Sequence, residues 1–157
     1  MGRRGHGSMK IYVDVSCLNR PFDDQVQARI HLEAEAVTII LDRCEQGDWE
    51  HVTSRMTEIE IDANPDEHRR ARVRKLLPES LLELSGDVFE RAIELERIGF
   101  KAADAVHVSA AEALTADVLL SCDDRLLRVA RRQRSQLRVP VANPIDWLKE
   151  ADRDLDT

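Results

Sequence analysis

The sequence lacks the features of a membrane protein and of a disulfide-stabilised secreted protein. None of its apolar stretches approaches the ~18 to 20 residues that a membrane-spanning helix needs. Its three cysteines, an odd number, have no Cys-x-x-Cys spacing, so we expect neither a disulfide framework nor a zinc site; they are Cys17, Cys44 and Cys122. We therefore expect buried thiols, a cytoplasmic location and no membrane contact.

Charge is unevenly distributed along the chain. The net charge of −7 argues against a general, non-specific nucleic-acid binder. One long stretch nevertheless contains several arginines and no acid; its arginines are Arg125, Arg128, Arg131, Arg132, Arg134 and Arg138. Two interpretations stay open for this stretch: a solvated helix face with cations favoured toward the C-terminus, or a clamp for phosphates.

The chain is long enough for one domain. Its first eight residues, MGRRGHGS, are rich in glycine and arginine and contain no apolar run. We interpret segment 1–8 as a cloning remnant ahead of Met9 and not as a secretory signal. The domain is expected over 9–153, followed by a short C-terminal tail at 154–157.

Strand-like and helix-like segments alternate within this domain. Helices are predicted where apolar residues recur at helical spacing, with Asn64 as the cap of one of them. Segment 19–24 is expected to be an irregular loop because it contains Pro21. Strands are predicted at 10–15, 50–53, 81–84, 118–122 and 138–141. The alternation predicts an α/β fold, with a parallel sheet of about five strands covered by helices on both faces.

Four acidic residues stand close to the ends of buried or half-buried segments: Asp14, Glu58, Asp104 and Asp123. In a parallel α/β sheet, the C-terminal ends of the strands and the starts of the following helices gather along one edge. Four carboxylates at that edge would repel one another and raise each other's pKa unless a cation neutralised them. The pattern therefore indicates a magnesium-type phosphodiesterase site.

Several of these acids also have a simpler interpretation. Asp14 could cap the segment that follows, although the apolar run continues beyond it. Asp123 stands where an ordinary N-cap is expected, and the adjacent Asp124 leaves the identity of the fourth acid open. Glu58 could belong to an exposed acidic helix face, since that helix carries other acids, Glu60 and Asp62.

Asp104 lies on an apolar, alanine-rich helix that is expected to pack inside the protein. His107 follows three residues later and therefore projects from the same face. Asp104 could be a first-turn acid favoured by the helix dipole, but we favour a functional role for it. For His107 we favour a hydrogen-bonded core histidine.

Four short motifs occur in a fixed order at strand or helix boundaries. They are Asp14-Val15-Ser16, the segment from Ser54 to Glu58, Asp104-Ala105-Val106-His107-Val108-Ser109-Ala110, and Ser121-Cys122-Asp123. In this order they resemble the motifs of the PIN-domain ribonucleases, and among these the VapC-like toxins of bacterial toxin–antitoxin pairs. The resemblance covers nearly all of 9–148, and segments 19–24 and 143–144 look like one bacterial branch of the family.

The resemblance implies a metal-dependent endoribonuclease that cleaves RNA phosphodiester bonds, with one or two Mg²⁺ or Mn²⁺ ions as cofactor. It implies that Asp14 and Asp104 are metal ligands, and that Glu58 and Asp123 complete the catalytic set. Ser16 and Ser121 would orient these acids, and Arg125 and Arg128 would contact RNA. The implied partners are an RNA substrate and a cognate antitoxin protein, and a homodimer stays open.

Two other functions are compatible with parts of this pattern. A phosphoacceptor receiver domain also gathers acids at strand ends, but it needs an acidic pair at the first strand and a lysine close to the fifth, and the sequence shows neither. A catalytically silent PIN scaffold acting through protein partners would retain the same motifs. This scaffold is the alternative to the ribonuclease.

Overall fold

The computed structural model describes the backbone of residues 9–156 and the side chains of residues 9–152. The segment interpreted as a cloning remnant, 1–8, lies outside the described residues. Among the described residues four helices separate the second strand from the third, so strands and helices alternate less regularly than predicted. In chain order the elements are β1 (Met9–Val13), α1 (Val15–Asn19), α2 (Ala28–Glu45), β2 (Trp49–Val52), α3 (Arg55–Asp62), α4 (Glu67–Arg74), α5 (Gly86–Arg97), α6 (Ala102–Ala113), β3 (Val118–Leu120), α7 (Asp124–Arg132), β4 (Val141–Ala142) and α8 (Pro144–Asp156).

The sheet is parallel, with strand order β2-β1-β3-β4, so β1 and β3 are its central strands. Successive side chains of a strand point to opposite faces. Tyr12 accordingly packs in a core formed with α5, α6 and α7, whereas Ile11 and Val13 pack in a second core formed with α1, α2 and α8. Helices cover both faces, and the α/β prediction is confirmed.

The described part of the sheet has four strands, so the prediction of about five was wrong. The segment predicted as the third strand, 81–84, contributes a single bridge in which Leu82 pairs with Ser54. The Leu82 amide donates to the Thr53 carbonyl at 3.1 Å, and the Arg55 amide donates to the Leu82 carbonyl at 2.9 Å. β2 ends at Val52 and α3 starts at Arg55, directly after Ser54, so the pairing cannot continue.

Segment 19–24, predicted as an irregular loop, is partly helical. A 3-10 helix at Arg20–Phe22 follows α1 directly, and Pro21 stands in its first turn, where its missing N–H costs no hydrogen bond. The fully buried Glu33 of α2 accepts hydrogen bonds from Arg20 Nε at 2.7 Å and from Asn143 Nδ2 at 2.6 Å. Glu33 thus connects two segments of the family resemblance, 19–24 and 143–144.

Two helix ends also differ from the prediction. Asp66 caps α4, since its Oδ1 accepts from the His68 amide at 3.0 Å and the Arg69 amide at 3.1 Å. Asn64, predicted as the cap, instead accepts from the Asp66 amide at 2.9 Å and closes the preceding turn. α8 extends to Asp156, into the segment predicted as a C-terminal tail. Of the helices described, none has the length and apolar character to cross a membrane.

Candidate active site

Asp14 stands at the carboxyl end of β1 and caps α1. Its Oδ1 accepts from Ser16 Oγ at 2.6 Å and from the Cys17 amide at 3.0 Å. Burial raises the pKa of this carboxyl, although the Ser16 hydroxyl, His107, Ser121 and the Cys17 amide all act in the opposite direction. The capping role that the sequence left open is therefore real, and it uses only one of the two carboxylate oxygens.

Two serines connect the loops that follow β1 and β3. Ser16 Oγ accepts from the Cys122 amide at 3.0 Å and lies 3.5 Å from Ser121 Oγ. Ser121 Oγ in turn accepts from the Asp123 amide at 3.1 Å. The two hydroxyls thus hold the backbone that carries Asp14 and Asp123 in one fixed arrangement.

Asp123 and Asp124 have different surroundings, although they are neighbours. Asp123 caps α7 through Oδ1, which accepts from the Arg125 amide at 2.8 Å and the Leu126 amide at 3.2 Å. Both oxygens of Asp124 are bound by Arg29, at 3.0 and 2.6 Å, and this pairing lowers the pKa of Asp124. Asp123 therefore keeps an oxygen available, and Asp124 does not.

Asp104 lies in the first turn of α6 and has no hydrogen bond to its carboxylate from any described residue. Its pKa is raised to about 6, first by burial and then by the negative charges of Asp123, Asp14 and Glu60, with His107 opposing. The charges of these acids affect Asp104 because they lie near it in surroundings of low dielectric constant. The structure thus brings together three acids predicted from sequence, and it adds Glu60.

Glu58, the fourth predicted acid, does not join this group. Its Oε1 is bound by Arg55 at 2.5 Å and its Oε2 by Arg74 at 3.0 Å. Residues two positions apart on a helix project in nearly opposite directions, so Glu58 and Glu60 on α3 cannot both face the other acids. The structure thus places Glu60 in the acidic group and Glu58 in an ion-pair network outside it.

His107 is buried beside the acids and contacts Glu60. Its Nε2 lies 2.7 Å from Glu60 Oε1, and its Nδ1 lies 2.7 Å from the Tyr12 hydroxyl. Burial disfavours the charged imidazole, but Tyr12 and the Glu60 carboxylate outweigh this effect and raise the pKa of His107. His107 is thus a hydrogen-bonded core histidine, and one of its two partners is a member of the acidic group.

One property separates these four acids from their neighbours: each leaves at least one carboxylate oxygen without a hydrogen bond from a described residue. In Asp14, Asp123 and Glu60 the hydrogen bonds with a defined distance fall on one oxygen only, and the Ser121 hydroxyl also interacts with Asp14, whereas in Asp104 neither oxygen is bound. In Glu58 and Asp124 arginines occupy both oxygens. We call Asp14, Glu60, Asp104 and Asp123 the acidic cluster.

The donor chemistry of the acidic cluster suits a hard cation, because all its free atoms are carboxylate oxygens. Among residues 9–152, no three His, Cys, Asp or Glu side chains are already close enough to hold one ion. Asp104, with no hydrogen bond to restrain it, is the side chain with the most freedom to rotate. To share one ion, carboxylates of the cluster must therefore draw together by side-chain rotation.

The raised pKa of Asp104 predicts a pH-dependent stability. The folded protein holds the Asp104 proton up to about pH 6, while the ordinary pKa is 3.8, so the free energy of unfolding should fall as pH rises between these values. Asp104→Asn removes the charge. In EDTA at pH 7 we expect this variant to be roughly 1–2 kcal/mol more stable than wild type, after allowance for partial exposure.

Thermal melts of wild type and Asp104→Asn in EDTA between pH 4 and 8 measure this difference. Asp87→Asn, a change of the same type at an exposed position of α5, is the control and should follow the wild-type profile. Identical profiles for wild type and Asp104→Asn would show that the other acids do not repel the Asp104 carboxylate.

Comparisons with known proteins connect this geometry to a fold. No protein-family model matches the chain, and no curated protein does so. Among solved structures, the chain is similar to "Crystal Structure of FitAcB from Neisseria gonorrhoeae", with a TM-score of 0.55 and 15% sequence identity over 85% of this chain and 97% of that one. The likeness shows the fold that the four motifs predicted. The chain has the fold of a PIN domain.

Proposed function

We propose that this protein is a metal-dependent endoribonuclease that cleaves RNA phosphodiester bonds. The observation that carries the proposal is the acidic cluster, whose carboxylates keep oxygens free at one edge of the sheet. Side chains that served only the fold would be expected to resemble Glu58 and Asp124, with both oxygens paired. A carboxylate whose pKa is raised by burial and by neighbouring acids, as that of Asp104 is, is typical of functional sites.

In this proposal the acidic cluster holds Mg²⁺ or Mn²⁺. Asp14 and Asp104 would be ligands, as the resemblance implies, and Glu60 and Asp123 would complete the set directly or through water. Such an ion, when bound, orients and activates a water for in-line attack and stabilises the leaving oxygen. Ser16 fixes the Asp14 carboxylate, and Ser121 holds the backbone of Asp123, so the protein limits the rearrangement needed on binding.

A cleavage assay tests the proposed activity. Purified protein is incubated with single-stranded RNA in Mn²⁺, and in parallel with EDTA; unpaired RNA is the more suitable substrate because its backbone can bend into a recessed site. We expect products in Mn²⁺ only. A protein that binds Mn²⁺ but leaves every RNA intact would support the silent scaffold. Products of equal yield in EDTA would contradict the metal requirement.

We further propose that the protein is the toxin of a bacterial toxin–antitoxin pair. FitAcB is a toxin–antitoxin complex with a PIN-domain toxin, which supports an antitoxin partner for this chain. Coexpression with the protein of the adjacent reading frame tests the proposal. A stable complex in which RNA cleavage is suppressed is expected, and a neighbour that neither binds nor inhibits would contradict it.

Arg125 and Arg128 are proposed contacts for the RNA backbone. Both are exposed on α7, the helix that Asp123 caps, and neither has a hydrogen-bonded carboxylate partner among the described residues. Changing both to Gln should make the salt dependence shallower: the negative slope of log affinity against log salt should shrink in magnitude by about 1.4 for single-stranded RNA. Mn²⁺ binding should be unchanged, since neither side chain belongs to the acidic cluster.

Fluorescence anisotropy of labelled single-stranded RNA over a salt series, on partner-free protein, measures this slope. Lys149→Gln, an exposed cation on α8, is the control for loss of charge elsewhere. An identical slope for wild type and the double variant would show that α7 presents a solvated face only.

A further inference from the structure

A continuous chain of buried polar groups leads from the edge of the sheet to the acidic cluster. Ser54 Oγ lies 2.7 Å from the Tyr12 hydroxyl, which lies 2.7 Å from His107 Nδ1, and His107 Nε2 lies 2.7 Å from Glu60 Oε1. Ser54 and Tyr12 are fully buried and His107 is nearly so. The chain joins residues of β1 and α6 to both ends of α3, its cap and its Glu60.

The hydrogen bonds of this chain can be accounted for completely. The N–H at Nε2 donates to Glu60 in either protonation state of His107. In the imidazolium that the raised pKa favours, Nδ1 donates to Tyr12 and Tyr12 donates to Ser54, whereas in the neutral imidazole both of these bonds reverse. Ser54 Oγ also accepts from the Met56 amide at 3.2 Å, as the cap of α3. Every polar atom from Ser54 to Nε2 has a partner, and the imidazole is held at both nitrogens.

Glu60 is the point at which this buried chain reaches the other acids. Its side chain is 26% exposed, against 3% for His107. Its Oε1 faces His107, whereas its Oε2 has no partner among the described residues. A glutamate has three rotatable bonds, and a ligand that is already oriented loses less conformational entropy when it binds. Holding one oxygen of Glu60 leaves the other oriented to bind.

We propose that His107 is a positioning residue that fixes the Glu60 carboxylate in the acidic cluster, and that Tyr12 and Ser54 fix His107. The inference rests on the proposed function, because it assigns Glu60 a role toward the same divalent cation. It extends that function, since residues with no carboxylate of their own then set the affinity of the site.

Two substitutions of His107 separate positioning from packing. The amide nitrogen of Gln can replace Nε2, whereas that of the shorter Asn can replace Nδ1 only. His107→Asn should therefore donate to the Tyr12 hydroxyl, as the imidazolium does, and lose the contact with Glu60, and His107→Gln should do the opposite. We expect Mn²⁺ affinity to fall about 10- to 100-fold in His107→Asn and only a few-fold in His107→Gln.

Isothermal titration with Mn²⁺ measures these affinities, and circular dichroism confirms that each variant is folded. His68→Asn, at an exposed position of α4, is the control and should bind as wild type does. In the background of Glu60→Gln, the change His107→Asn should cost little further affinity, because a residue acting through Glu60 has no effect once that carboxylate is gone. Tyr12→Phe, which keeps the ring, should give a smaller loss.

The outcomes separate this inference from the proposed function. If wild type binds Mn²⁺ and folded His107→Asn binds it equally well, the positioning role is wrong and the metal site stands. If His107→Asn does not fold, the Mn²⁺ affinities of His107→Gln and Tyr12→Phe are compared with that of wild type instead. Full affinity in Tyr12→Phe together with a large loss in His107→Gln would overturn the positioning role of His107. Wild type that binds no Mn²⁺ overturns both proposals.

Discussion

Asp14→Asn and Asp104→Asn should each lower the rate of RNA cleavage by at least about 100-fold while leaving the protein folded. Each change removes one negative charge from the acidic cluster and one ligand from the proposed cation, and losses of this size are common when a charge-stabilising group is removed from an active site. Asn keeps the shape of Asp, and in Asp14→Asn its oxygen can still accept from Ser16 and the Cys17 amide.

Initial cleavage rates at saturating Mn²⁺ measure this effect. Asp87→Asn on α5 is the control for the loss of a carboxylate and should retain the wild-type rate. Cleavage within a few-fold of wild type in both cluster variants would show that the acids are not catalytic. The same result in only one of them would remove that residue from the catalytic set.

Glu60→Gln and Glu58→Gln should have opposite outcomes, although the residues are two positions apart on α3. Glu60→Gln removes a cluster charge while an amide oxygen can still accept from His107, so we expect cleavage to fall by about 100-fold or more. Glu58→Gln weakens ion pairs with Arg55 and Arg74 outside the cluster. We expect a cleavage rate within about two-fold of wild type and a stability change below about 1 kcal/mol.

This pair of variants is its own control, because the chemical change and the helix are the same. Cleavage rates and thermal melts of both variants test whether Glu60 or Glu58 belongs to the active site. A large loss in Glu58→Gln with normal cleavage in Glu60→Gln would restore the prediction made from sequence.

Three acids of the candidate site could be predicted from sequence because the sequence pattern indicates where strands end and helices start. Asp14 follows β1, Asp123 caps α7 and Asp104 lies in the first turn of α6, and the charges of Asp14 and Asp123 help to raise the pKa of Asp104. In each case an apolar segment precedes or surrounds a single carboxylate. Parallel strands then bring these positions to one edge of the sheet.

The choice between Glu58 and Glu60 depended on contacts that are distant in sequence. His107, which binds Glu60, is 47 residues away, and Arg74, which binds Glu58, is 16 residues away. One local signal was present: Arg55 precedes Glu58 by three residues, the spacing of a helical ion pair. No local signal indicated that Tyr12 contacts His107, since a tyrosine in a buried strand is usually a core residue.

The strand count and the structure of segment 19–24 were misjudged for physical reasons that are local. Segment 81–84 has an apolar pattern suited to a strand. The segment with which it pairs continues into α3 directly after Ser54, so only one bridge forms. Pro21 excludes the interior of a helix but not its first turn, which is where it lies.

The most direct test of the account is a calorimetric titration of Mn²⁺ into wild type and into Asp104→Asn at pH 7. Asp104 has no hydrogen bond from a described residue, so its loss should affect the cation and leave the remaining contacts intact. The account predicts saturable binding by wild type and at least about ten-fold weaker binding by the variant. Equal affinity of the two proteins, or no binding by wild type, would contradict a divalent cation site in the acidic cluster.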